Sequence, residues 1–227
     1  MRLVRRILPA FMLAVLVLGA AGCGRDHGVP APAGEEPAVA TPTTPAPTSP
    51  AAAKPGPGAA KVAALAFMRE LGMRDPVAGS FRATGSATGE VTIHPRREDG
   101  RPLDRPTTWV QLHRYTNGWV VSGARARNAI EVEQPRAFAR ISSPVTVSGL
   151  ANAYEGTVLV AVLEDRRGPD RVLGKGFVTG GAVELAPFSG RIAFGAPSAD
   201  AGWLVFSGGT GVNDGIFDAT AVRVRFA

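Results

Sequence analysis

The residues able to carry covalent or acid–base chemistry are few and scattered. Cys23 is the only cysteine among 227 residues, so no intrachain disulfide can form and a thiol nucleophile has a single address. His27, His94 and His113 supply every imidazole. The chain contains no Gly-x-Ser-x-Gly elbow, Ser-x-x-Lys, His-Glu-x-x-His or phosphate-binding glycine loop, and no histidine follows His113. A Ser/His/Asp relay would therefore have to be assembled across most of the chain. Adjacent carboxylates such as Glu164-Asp165 read as turn charges at a strand end rather than as an acid/base couple. His94 and His113 have no cysteine or carboxylate at ligand spacing. Gly208 to Asp218 superficially resembles a glycine/aspartate calcium loop, with Asn213, Asp214 and Asp218 as its oxygen donors. Such loops bind between stacked copies, however, and only one is present, so a long hairpin loop is expected instead. The expectation is a protein with no catalytic residues, no metal and no cofactor. What remains is binding: Trp109 and Trp119 on neighbouring strands are candidates for the walls of a groove, and Tyr154, in a turn, for a partner anchor.

The N-terminal segment says where such binding would take place. Arg2, Arg5 and Arg6 precede an apolar run from Ile7 to Ala20, too short for an ordinary spanning helix and flanked as a secretory signal is. Leu18-Gly19-Ala20-Ala21-Gly22-Cys23 resembles a bacterial lipobox. That resemblance implies cleavage of residues 1–22, lipidation of Cys23 and an extracytoplasmic, membrane-anchored protein. Loss of the three leader arginines takes the net charge of +6 to about +3, too little to argue for nucleic acid. From Cys23 to Ala59 the composition is dominated by Pro, Ala, Thr and Ser. It reads as a disordered tether reaching on the order of 100 Å at about 3.1 Å per residue.

Folded sequence is expected from residue 60. Val62, Leu65, Ala66 and Leu71 recur at helical spacing with Gly72 as a stop, predicting an amphipathic helix over 60–71. Alternation then predicts strands at Glu90–His94, Thr108–Arg114 and Trp119–Ser122, the last two joined by a hairpin signalled by Asn117-Gly118. Residues 60–129 thus read as a small α+β module, one helix on an antiparallel sheet.

From Ile130 to the C-terminus about seven short strands follow at turn-punctuated spacing, the pattern of a β-sandwich. Val145 and Val147, then Val158, Val160 and Val162, mark two of them, each with one buried face. Several segments carry a resemblance to a known family: Ile141 to Ala151, Tyr154-Glu155-Gly156-Thr157-Val158, Gly176-Phe177-Val178-Thr179, Pro187-Phe188-Ser189-Gly190 and the closing Val222-Arg223-Val224-Arg225-Phe226. Together they resemble Gmad2, the immunoglobulin-like domain of bacterial spore germination. The resemblance implies an extracytoplasmic immunoglobulin-like sandwich at the C-terminus of a lipoprotein, with no enzymatic activity. It also raises a sporulation or germination link. The expected role is a non-catalytic binding or scaffold module whose partner is an envelope protein or a cell-wall polymer. The alternative is a small-ligand carrier or sensor with its groove in residues 60–129.

Overall fold

A computed structural model describes residues 55–166, 168–181, 184–208 and 216–227. The helix α1 (Pro57–Leu71) begins a turn earlier than the periodicity indicates, because Pro57 occupies its first position behind Gly56. Proline costs nothing there, since that N–H has no helical partner. The helix stops at Gly72, where φ of 103° is left-handed backbone open to glycine, and the N–H groups of Gly72 and Met73 return to the carbonyls of Arg69 and Met68. Ala60, Ala64, Phe67, Met68 and Leu71 form its buried stripe.

Twelve strands follow among the described residues. Those preceding residue 130 are β1 (Val77–Ala83), β2 (Thr88–His94), β3 (Thr108–Tyr115) and β4 (Gly118–Arg125). The later ones are β5 (Ile130–Gln134), β6 (Arg140–Ile141), β7 (Val145–Ala151), β8 (Thr157–Glu164), β9 (Val172–Thr179), β10 (Ala186–Ile192), β11 (Ala201–Gly208) and β12 (Thr220–Phe226). The protein is mainly β, and its strand pairs are antiparallel except for β6 with β12.

The strands form two sheets. One has nine strands in the order β1-β2-β3-β4-β12-β11-β8-β9, with β6 also on β12; the other has three, in the order β10-β7-β5. The large sheet crosses residue 130 without a break: Gly123 and Ala124 of β4 pair with Val222 and Ala221 of β12. Side chains alternate across it. Val158, Val160, Val162, Leu204, Phe206 and Val224 point one way, onto Val145, Val147, Phe188 and Ile192 of the small sheet, and form the sandwich core. Leu163, Trp203, Val205 and Ala221 point the other way and join Val91, Ile93, Val110 and Leu112 under α1. β11 is consequently buried on both faces, as is the end of β8 from Val162 to Glu164. Over Val158–Val162 the strand has the single buried face its alternation predicts, with Leu159 exposed on the other side; it is buried on both faces only toward its end, where Leu163 joins the cluster under α1.

Candidate binding site

The register of the β3–β4 hairpin decides where the tryptophans go. Tyr115 pairs with Gly118, so the turn residues are Thr116 and Asn117, one place earlier than the Asn-Gly signal suggests, and Trp119 lies opposite Arg114. Trp119 therefore shares the face of Val110 and Leu112. It packs edge-on against Phe81 with ring centroids 5.3 Å apart, and its indole N–H donates to the Pro55 carbonyl at 3.0 Å. Trp109 has the other parity and stands on the opposite face, beside Thr92 and Arg125. The two indoles are separated by the thickness of the sheet, so they do not wall a common groove.

Trp109 belongs to an ordered polar cluster. The Arg127 guanidinium lies 4.8 Å from its ring centroid and also donates to both oxygens of Glu90, at 2.9 and 2.8 Å. Glu90 is buried and takes a third contact from Arg82 at 3.3 Å. A charge desolvated to this degree needs such partners, and they fix Arg127 in place.

Arg127 in turn lines a cleft of about 640 Å³ at the corner where the two sheets part. On their far side the sheets are joined: Gly180 bridges to Phe188, and the Gly195 N–H donates to the Leu173 carbonyl at 2.9 Å. At the corner, Thr220 holds them instead. Its buried hydroxyl accepts from the Ala126 N–H at 3.0 Å and donates to the Ile130 carbonyl at 2.8 Å. Gln111, Ser122, Arg125, Glu131, Glu133 and Arg136 also line the cleft. None of these four charged residues is in an ion pair among the described residues. The corner thus offers both signs of charge beside amide and hydroxyl groups, a lining able to hold a polar ligand by several oriented contacts. It draws on residues from both sides of residue 130. The sequence signal was the same-face spacing of Arg125 with Arg127 and of Glu131 with Glu133, which a boundary placed at 129/130 divides.

The remaining candidates are dispersed. Cys23, His27, Asn213 and Asp214 lie outside the described residues, as does the Tyr154 side chain, although the Tyr154 backbone opens a tight turn, Tyr154–Gly156, with Glu155 at φ of 55°. His94 and His113 stand at opposite ends of β2, where His94 pairs with Val77 and His113 with Thr88. His94 is hydrogen-bonded to the Leu103 carbonyl at 2.8 Å, and the His113 ring lies 4.8 Å from that of Tyr115, tilted by 56°. No group of three or more metal-ligating side chains occurs among the described residues.

The carboxylates of Glu164 and Asp165 diverge. Buried Glu164 accepts from the Ser198 N–H at 2.7 Å, the Ser198 hydroxyl at 2.9 Å and the Ala199 N–H at 3.1 Å, and pairs with Arg166. The Ser198 backbone N–H is the main influence holding its carboxyl below the usual range, against the opposing effect of desolvation. Asp165 turns outward to Arg223 at 2.6 Å, and that hydrogen bond lowers its pKa. Both carboxylates already have structural partners. Asp218 is pushed the other way, upward, because burial outweighs the hydrogen bond from the Gly208 N–H.

Two facing sheets around one apolar core, with the corner cleft beside them, define the C-terminal half as an immunoglobulin-like β-sandwich. Residues 129–209 match the family model Gmad2, the immunoglobulin-like domain of bacterial spore germination. The match ends before β12, although that strand completes the large sheet. No curated protein matches the chain, and no solved structure does.

Proposed function

We propose that this protein is a lipid-anchored, extracytoplasmic binding or scaffold module of a bacterial cell envelope, without catalytic activity. The match of residues 129–209 to a spore-germination immunoglobulin-like domain is the observation that carries the reading. The leader and Cys23 pattern supports the anchor, and the partners already held by Glu90, Glu164 and Asp165 support binding over acid–base catalysis. The partner is an envelope protein or a cell-wall polymer. Expressed with its leader in a bacterial host fed a radiolabelled fatty acid, the chain should take up label and fractionate with membranes, and Cys23→Ala should do neither. Cross-linking in native envelopes should then recover a defined partner. An unlabelled, soluble wild type removes the anchor, and the absence of any cross-linked protein or bound wall polymer removes the module.

A second reading, a small-ligand carrier, is favoured by the size of the corner cleft, since about 300–1,000 Å³ suits small molecules. Trp109 reports on it through Arg127. Ligand-induced fluorescence change should vanish in Trp109→Phe and persist in Trp119→Phe. The opposite pattern would exclude the corner.

A further inference from the structure

The large sheet contains a notch. β4 and β12 pair only through Gly123–Val222 and Ala124–Ala221. Beyond Val222, the edge of β12 is taken by the segment Phe138 to Ile141: the Phe138 N–H donates to the Arg223 carbonyl at 2.6 Å, the Arg225 N–H donates to the Ala139 carbonyl at 2.9 Å, and β6 continues the pairing. The first part of β4, from Gly118 to Ser122, is left with β3 on one side only. Among the described residues no backbone hydrogen bond joins its other side to any segment. At roughly 3.3 Å per residue this is an open strand edge of about 16 Å.

A cleft of about 530 Å³ lies along that edge. Phe67 and Trp203 are buried in its wall, their rings 4.8 Å apart, while Tyr115, Val120 and Phe138 are all more than half exposed at its mouth. Phe138 is held at φ of 64°, a left-handed conformation unfavourable for a residue with a side chain. The charged residues of the cleft are matched among themselves, Arg223 with Asp165, Arg171 with Glu70 and Arg166 with Glu164. Charge complementarity therefore asks for an uncharged occupant. What stands unused is a row of backbone donors and acceptors flanked by apolar side chains.

We propose that the notch binds an extended peptide segment of a partner protein, added as a strand to the β4 edge between Gly118 and Ser122. The segment presents uncharged apolar side chains at alternate positions to Tyr115, Val120 and Phe138 on one side and towards Phe67 and Trp203 on the other. This rests on the binding-module reading above but does not need the lipid anchor.

The test uses the full-length protein in mild detergent against a displayed library of random decapeptides. Enriched peptides should alternate apolar residues and lack central proline. The tightest one, made synthetically, should slow amide exchange of Trp119 to Ser122 by tenfold or more. Methylating single backbone nitrogens of that peptide should weaken binding at least tenfold at every second position and little between. Phe138→Ala should weaken it several-fold with the melting temperature retained. No enrichment, protection confined to other strands, or indifference to N-methylation would each overturn the proposal. A photo-cross-linker placed at Arg125 that captures an envelope partner, with the same probe at Val120 silent, would also overturn it and leave the binding-module reading standing.

Discussion

Glu164 shows how a catalytic-looking residue type becomes structural. One carboxylate oxygen collects three hydrogen bonds from Ser198 and Ala199, which ties the loop ahead of β11 to the end of β8. These bonds favour the ionised form, led by the Ser198 N–H, so the folded-state pKa lies below the ordinary 4.5. A depressed carboxylate pKa contributes stability that is complete above the unfolded-state value and is lost as pH falls through the folded-state value. Glu164→Gln should therefore be less stable than wild type at neutral pH, with the gap closing under acid conditions. Urea midpoints taken downward from pH 7 measure this, and parallel curves for the two proteins would show that the ionised carboxylate contributes nothing. Asp218 has the reverse sign. Its raised pKa makes the folded state take up a proton first, so its contribution weakens stability as pH rises.

At the scale of elements, close approaches fix which strands can pair. Gly149 lies in the centre of β7, where an added Cβ would run into the Glu131 carbonyl of β5 and stand 2.9 Å from the Phe188 ring. Backbone cannot yield as a flexible side chain can, so Gly149→Ala should cost on the order of 3 kcal/mol by overpacking. Chemical denaturation should show a fall in midpoint, and an unchanged midpoint would mean that β5 shifts freely. Alternation made β2, β3, β5 and β7 legible, because each carries a local period of two with one polar face. β1 carries no such signal: Val-Ala-Gly-Ser-Phe-Arg-Ala has little alternating contrast, and a register shift between Ala78 and Phe81 interrupts its pairing. The faces of Trp109 and Trp119 were encoded in the hairpin, since Tyr115 opposite Gly118 puts Trp119 beside Arg114 and gives the tryptophans opposite parity. The corner cleft and the notch were not legible in this way. Both depend on β4 meeting β12, a pairing between residues nearly a hundred positions apart that no local pattern reports.

That pairing also decides how the molecule behaves as a whole. The described residues belong to one compact unit, and two buried threonines reinforce the junction. Thr220 bridges Ala126 to Ile130, and the Thr108 hydroxyl accepts from the Ala219 N–H at 3.2 Å. The cluster under α1 takes Phe67, Val91 and Val110 from one side of residue 130 and Leu163, Trp203 and Val205 from the other. A chain cut to residues 129–227 would expose the last three. At about 1.5–3 kcal/mol for each large apolar side chain, the loss is on the order of 5 kcal/mol, comparable with the whole stability of many domains. The full chain should therefore unfold in a single transition, coincident by tryptophan fluorescence and far-ultraviolet circular dichroism. The 129–227 fragment should bind a hydrophobic dye and melt at least ten degrees lower, or without cooperativity. A fragment with the denaturation midpoint of the full chain would mean that the sandwich stands alone and that the shared sheet only docks two independent bodies. A single transition that disappears on truncation would instead make the helix layer a structural part of the sandwich, with the corner cleft and the notch existing only where both are present.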